Sequence, residues 1–180
     1  MIFAYADPPY VGCAGLYPER TEVDHPGLIR TLVDSYPDGW ALSGSAPSLK
    51  YLLSLCPDDV RVMPWVKPFA VYKPNVGVAY AWEPVIVRGG RRRTREQMTV
   101  RDWVAANITL QRGMVGAKPD DFCFWLFAVL NVQAGDELHD LFPGSGAVTR
   151  ALRGWLRQTT LDFAERGSTR QREADDRRGR

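Results

Sequence analysis

The chain opens on Ile2-Phe3-Ala4-Tyr5-Ala6-Asp7-Pro8-Pro9-Tyr10, and how that stretch is read decides the architecture. Residues 2–6 are a short apolar run ended by turn residues, the pattern of a strand buried in an α/β sheet. Asp7 follows directly, at the carboxyl edge where open α/β sheets bind ligands. The prolines at 8 and 9 fix φ and remove two backbone donors, leaving a stiff turn with free carbonyls. A carboxylate beside a rigid carbonyl can accept both hydrogens of one planar amino group, and the Tyr10 ring can stack on the base that carries it. Such a set suits the exocyclic amine of a flipped-out nucleobase. Taken as a bare string, the same four residues also read as a plain turn.

Beyond this opening, short apolar runs alternate with helical segments, the rhythm of an α/β sheet. His25 to Tyr36 places Leu28, Leu32 and Val33 on one helix face, and Trp40 to Ser43 reads as a second strand. Pro47 and Ser48 open a helix that Pro57 closes. Val60 to Val66 and Glu83 to Arg88 read as two more strands, joined by a Pro- and aromatic-rich excursion over 68–82. Val100 to Arg112 reads as irregular or weakly helical. Phe122 to Leu130 is apolar on almost every side and predicts a helix buried against the sheet. Gly135 to Leu141 leads into a strand, and Ala147 to Gln158 into a helix. Residues 1–167 are expected to form one domain and 168–180 a disordered basic tail.

The composition, 45% hydrophobic and 24% charged over 180 residues, fits one soluble globule and excludes a disordered regulator or a disulfide scaffold. No run approaches the roughly 20 apolar residues of a membrane helix, and the start lacks a signal peptide's basic and apolar regions. A cytoplasmic protein without a membrane partner is expected. Cys13, Cys56 and Cys123 are read as reduced and mostly buried, and no spacing of His, Cys, Asp and Glu suggests a metal. His25 reads as a helix start and His139 as part of a strand, neither as a catalyst.

The net charge of +2 hides two basic clusters. Arg88, Arg91, Arg92, Arg93 and Arg95 crowd one stretch, and Arg166, Arg170, Arg172, Arg177, Arg178 and Arg180 the other. Such blocks are solvated loops or tails, or else contacts to a polyanion, nucleic acid being the natural one. Arg91, Arg92, Arg93 and Arg95, after a Gly-Gly pair, are expected to be mobile and to contact phosphate, with Lys67 and Lys73 as further candidates.

A second motif, Asp140-Leu141-Phe142-Pro143-Gly144-Ser145-Gly146, lies between a strand and a helix. Its glycines allow close backbone approach, and the amides at the helix start can face an anionic group. It lacks the third glycine of a dinucleotide fingerprint and the Gly-Lys-Ser/Thr of a phosphate loop. Alone it also reads as a plain strand-to-helix connection.

With both motifs in hand, the sequence resembles the S-adenosylmethionine-dependent amino-methyltransferases that modify adenine N6 in DNA. In that family a DPPY-type tetrapeptide is catalytic and a D-x-F-x-G-x-G loop binds the cofactor. Here they stand in the permuted order, catalytic motif first. Lys118-Pro119 matches a Lys-Pro that opens a helix beside the cofactor in permuted members. The stretch 65–90, with its lysine-proline segment and Trp-Glu-Pro-Val strand, is similar to the branch of phage DNA methylases and messenger-RNA adenine methyltransferases. The resemblance spans roughly residues 2 to 158 and puts Trp82-Glu83-Pro84 near the active face.

It implies a Rossmann-like class I methyltransferase fold, minimal or truncated, with an open, mainly parallel sheet of about five strands flanked by helices. It also implies that the strand before Asp7 neighbours the strand before Phe142. Asp7, Pro8, Pro9 and Tyr10 would be catalytic. Asp140, Phe142, Pro143, Gly144, Ser145, Gly146, Lys118 and Pro119 would bind S-adenosylmethionine. Most relatives hold the cofactor ribose with an acidic residue on a further strand, for which only Asp162 or Glu165 is at hand. DNA is the implied partner, with a homo- or hetero-oligomer as an option and a solo phage-type enzyme suiting the size. The alternatives are a non-catalytic nucleic-acid-binding subunit, and an amino-methyltransferase acting on cytosine N4 or RNA.

Overall fold

The computed structural model describes residues 1–16, 20–69, 76–108 and 117–157. The strands are β1 (Ile2–Ala6), β2 (Gly39–Ser43), β3 (Arg61–Val66), β4 (Trp82–Gly89), β5 (Val104–Ala105) and β6 (Glu137–Asp140). The helices are α1 (His25–Ser35), α2 (Leu49–Leu55), α3 (Asp120–Leu130) and α4 over 147–157. Lys73, expected at phosphate, Asp162 and Glu165, expected at the cofactor ribose, and the 168–180 tail lie outside the described residues.

The strands form one sheet in the order β5-β3-β4-β2-β1-β6. The β1–β2, β1–β6 and β3–β5 pairs are parallel, whereas β4 runs antiparallel to both β2 and β3. Five strands therefore share one direction and β4 alone opposes them. This is the Rossmann-like fold of methyltransferases, with six strands where about five were expected. The extra one is β5, whose two residues are too short to leave a pattern in the irregular stretch around Trp103.

Alternation along each strand builds two cores. Phe3 and Tyr5 of β1, with Trp65, Val85 and Val87, face α3 and α4. Ala4 and Ala6, with Trp40, Leu42 and Ile86, face Ile29 and Leu32 of α1 and Leu52 of α2. Helices thus cover both faces, which is why β1 and the stretch Trp40 to Leu42 of β2 are apolar without a break. In α1 the Asp24 side chain accepts from the Gly27 amide and Pro26 occupies the first turn, where its missing donor is harmless. Helix α3 buries Phe122, Cys123, Trp125, Leu126, Phe127 and Leu130 and stops at Asn131 in the left-handed conformation.

The direction of β4 has a consequence for the arginines. The strand starts at the carboxyl edge of β2, with Val85 opposite Ser43, and ends at its amino edge, with Gly89 opposite Gly39. Gly39 must be glycine, since a Cβ there would stand 2.4 Å from the Gly90 nitrogen. Arg91, Arg92, Arg93 and Arg95 consequently leave the sheet at the edge opposite Asp7. The stretch is also tied down, contrary to the expected mobile loop. Arg91 pairs with Asp136 at 2.6 Å, Arg93 donates to the carbonyls of Met98 and Ala128, and Asn131 donates to the carbonyls of Arg91 and Arg92. The cysteines are free, but only Cys123 is buried; Cys13 and Cys56 are half-buried. Among the described residues no helix is long and apolar enough to cross a membrane.

Candidate active site

Parallel pairing of β1 with β6 places Tyr5 opposite Asp140, so the residues after each strand emerge side by side. The two motifs thereby meet in one narrow cleft of about 80 Å³. It is lined by Tyr5, Asp7, Lys118 and Asp140 and by the loop Phe142 to Ser145. A larger open groove of about 440 Å³ is lined, among the described residues, by Ala46, 76–80 and Trp82, none of them charged. The acid-base chemistry therefore belongs to the smaller cleft.

Asp7 follows the last residue of β1 with its side chain 21% exposed, so the carboxylate can be reached. Its Oδ1 lies 3.0 Å from Nζ of Lys118, a lysine buried at the approach to α3. That Nζ also stands 3.5 Å from Glu83 in β4. Glu83 in turn pairs with Lys67 and accepts a 2.7 Å hydrogen bond from the Tyr10 hydroxyl. Both ammonium groups lie over the Trp65 ring at 4.9 Å, and Lys118 also lies over Phe122 at 5.7 Å. Aromatic faces make up for part of the water these cations have lost. The base of the cleft is held by Tyr5, whose hydroxyl meets Ser43 Oγ at 2.8 Å.

The electrostatics are uneven. Burial raises the Asp7 carboxyl above the ordinary carboxylate range, and Lys118 only partly offsets it. Burial acts on Glu83 in the same sense, but Lys118 and Lys67 together outweigh it and hold Glu83 low. Burial alone would lower Lys118, yet Asp7 and Glu83 raise it on balance, so it stays an ammonium. Burial keeps the Tyr5 and Tyr10 phenols neutral, and Cys123, pushed up to about 12, remains a thiol.

Asp140 differs from the other carboxylates. Both of its oxygens are buried without a hydrogen-bond partner among the described residues. Burial raises its carboxyl, and the Phe142 amide, facing it without making a well-formed hydrogen bond, offsets this only in part. Among the described residues Asp7 and Glu83 face Lys67 and Lys118, while Asp140 has no ion pair of its own and adds one more carboxylate to the cleft. Beyond Asp140 the chain turns through Gly144 at φ 43° and Gly146 at φ 70° into α4. The Gly146 amide bonds to the Pro143 carbonyl, and Arg150 clamps the turn by donating to the Ser145 carbonyl.

Of the residues singled out from sequence, the fold brings Asp7, Tyr10, Lys118, Asp140 and Phe142 to Ser145 together. Pro8 is buried and Pro9 half-buried in the turn, and among the described residues none donates to the Pro8 carbonyl. Pro119 caps α3 without a side-chain bond. Lys67 comes to the site, but its ammonium is held by Glu83 instead of standing free for phosphate. The arginines do not come to it. Sequence reasoning placed Glu83 near the active face without giving it a partner, and its bonds to Tyr10 and two lysines have no local signature. Among the described residues no three His, Cys, Asp or Glu side chains cluster as metal ligands.

No protein-family model and no curated protein matches the sequence. Solved structures do match. One is the crystal structure of the M1.HpyAVI–SAM complex, similar with a TM-score of 0.58 at 14% identity over 84% of this chain and 76% of that one. At that identity the likeness establishes the shared fold.

Proposed function

We propose that the chain is an S-adenosylmethionine-dependent amino-methyltransferase that acts on adenine N6 in DNA. The observation that carries this reading is Asp140, a carboxylate whose buried oxygens have no hydrogen-bond partner among the described residues, in the cleft that Asp7 shares. A buried carboxylate of this kind is stabilised as an anion when a cation meets it and otherwise tends to keep its proton. S-adenosylmethionine brings an ammonium and a sulfonium, and the residues fit it. Asp140 would take the ammonium, while Phe142, Pro143, Gly144, Ser145 and Gly146 would bring the backbone and the start of α4 to the carboxylate. Lys118 and Pro119 would line the opposite wall. The fold shared with a protein crystallised with SAM supports the same assignment.

When bound, the cofactor supplies a methyl group on sulfonium, already activated for transfer. The remaining work falls to Asp7 to Tyr10. The N6 lone pair of adenine is delocalised into the ring, so the amine needs acceptors that draw its hydrogens and favour a tetrahedral nitrogen. The Asp7 carboxylate and the Pro8 carbonyl are such acceptors, and Pro8 and Pro9 hold them rigid. The Tyr10 ring would stack on the base, a contact worth about 1 to 3 kcal/mol. An aspartate at position 7 favours adenine over cytosine N4 as target.

Phosphate contacts fall to Arg92 and Arg95, whose side chains are exposed and have no partner among the described residues. β4 has 8 residues, so its far end lies about 20 Å beyond Glu83 at roughly 3.3 Å per residue. The arginines would therefore meet nucleic acid that reaches past the sheet. The proposal is tested by incubating the protein with labelled S-adenosylmethionine and unmethylated DNA, then separating nucleosides by mass. N6-methyladenine is expected; methylcytosine would shift the target, and no methylated nucleoside would refute the proposal.

A further inference from the structure

We infer that Glu83 is a positioning residue of this site, fixing the Tyr10 ring and holding Lys118 between two carboxylates so that Asp7 can exchange it for the target amine. The inference rests on the methyltransferase reading and adds to it a residue that does not itself touch substrate. Glu83 Oε1 takes Lys67, while Oε2 takes the Tyr10 hydroxyl at 2.7 Å and faces Lys118 at 3.5 Å. Both of its oxygens are thus engaged by hydrogen-bonding or charged partners, which makes it a poorer acceptor for a base than Asp7. Asp7 has Lys118 as its ion-pair partner and is the more exposed of the two carboxylates.

That geometry acts on both the ring and the lysine. A phenol anchored at its hydroxyl presents its ring in one orientation, so a stacking base meets a preformed face. Lys118, at 3.0 Å from one carboxylate and 3.5 Å from the other, need move little to trade Asp7 for Glu83 while remaining paired. Without Glu83 it would have Asp7 alone, and the target amine would have to displace a buried ammonium with nowhere to go.

The charges facing Asp7 give this role a signed readout. Among the described residues, Lys118, Lys67, Glu83, Tyr5, Tyr10, Asp140 and Cys123 are the titratable groups around it. Glu83 raises the Asp7 carboxyl and Lys67 lowers it. Removing the Glu83 charge while freeing Lys67 therefore lowers Asp7 on both counts.

The experiment compares wild type, Glu83→Gln and Tyr10→Phe for kcat, KM for DNA and the pH dependence of kcat. Glu83→Gln keeps an acceptor for the phenol but loses the charge; kcat should fall about tenfold or more with KM within about threefold, and the acid limb should move to lower pH. Tyr10→Phe keeps the ring and loses the anchor, so KM should rise about fivefold with kcat little changed. A role confined to folding would lower the active fraction without moving the acid limb. Active wild type with a Glu83→Gln profile unmoved in both kcat and pH, or with KM unmoved in Tyr10→Phe, overturns the inference alone. Wild type without turnover overturns it together with the methyltransferase reading. The Tyr10→Phe arm decides the matter should Glu83→Gln fail to fold.

Discussion

Tyr5 and Asp140 are register partners in the parallel β1–β6 ladder, and this pairing sets Asp7 beside the glycine turn although the two motifs lie at opposite ends of the chain. The pairing also buries the Asp140 carboxylate oxygens without a hydrogen-bond partner among the described residues. Replacing Asp140 by asparagine should therefore separate stability from binding. Asp140→Asn removes a buried charge and is expected to keep or raise Tm. Its affinity for S-adenosylhomocysteine is expected to fall about 10- to 100-fold, as when a charge-assisted hydrogen bond is removed. Calorimetry and thermal melts on the same preparations check both.

The pH dependence should show two carboxylates moving in opposite senses. Asp7 is raised by burial, so the native state holds its proton more tightly than the unfolded chain does. Its ionisation costs stability as pH rises through that window, yet accepting the amine requires the ionised form. An acid limb of kcat above the ordinary carboxylate range is expected, read from initial rates across pH. Glu83 is held low, because its two lysines outweigh burial. Its contribution is present above its unfolded value and is lost as pH falls through its depressed one, which acid titration of Glu83→Gln against wild type would resolve.

Neighbouring arginines should behave differently in denaturant. Arg91 pairs with Asp136, whose side chain is 4% exposed. Arg91→Ala leaves that carboxylate short of a partner and is expected to cost about 1 to 3 kcal/mol in urea unfolding. Arg92→Ala, at an exposed side chain without a partner among the described residues, is expected to change stability by less than about 0.5 kcal/mol.

The same two-edge geometry sets a length dependence for DNA. Replacing Arg92 and Arg95 by alanine should leave methylation of a very short duplex unchanged. On a duplex long enough to span the domain, binding should weaken, with a salt slope shallower by up to about 0.9 for each phosphate no longer neutralised. Titrations at several salt concentrations and two duplex lengths would show it, and an equal effect at both lengths would remove the arginines from the phosphate path.

What could be read from the residues alone was local. The apolar run before Asp7, the turn residues around Gly144 and Gly146, and the all-round apolar α3 each carry their own signal. So the β1 strand and the helix were legible, whereas the meeting of the two motifs at one sheet edge followed from the family resemblance and not from any local signal. The reversed direction of β4 was not. It depends on pairing with β2 and β3, and it is what carries the arginine stretch away from Asp7. Nor was the binding of Lys67 by Glu83, because two residues on neighbouring strands have no fixed spacing in sequence. Lys118 was legible as a residue of the site, but not as the ion-pair partner of Asp7, since that contact joins the approach to α3 with the end of β1.

The decisive measurement concerns Asp7 itself. The Asp7→Asn variant keeps the shape of the side chain and loses the carboxylate that would draw the amine hydrogens. Methyladenine formed at saturating DNA and cofactor is expected to fall by about 100-fold or more, in the range seen when a positioned acid-base group is removed. Affinity for S-adenosylhomocysteine should be largely retained. Turnover of Asp7→Asn within a few-fold of wild type would contradict the assignment of Asp7 to the reacting amine.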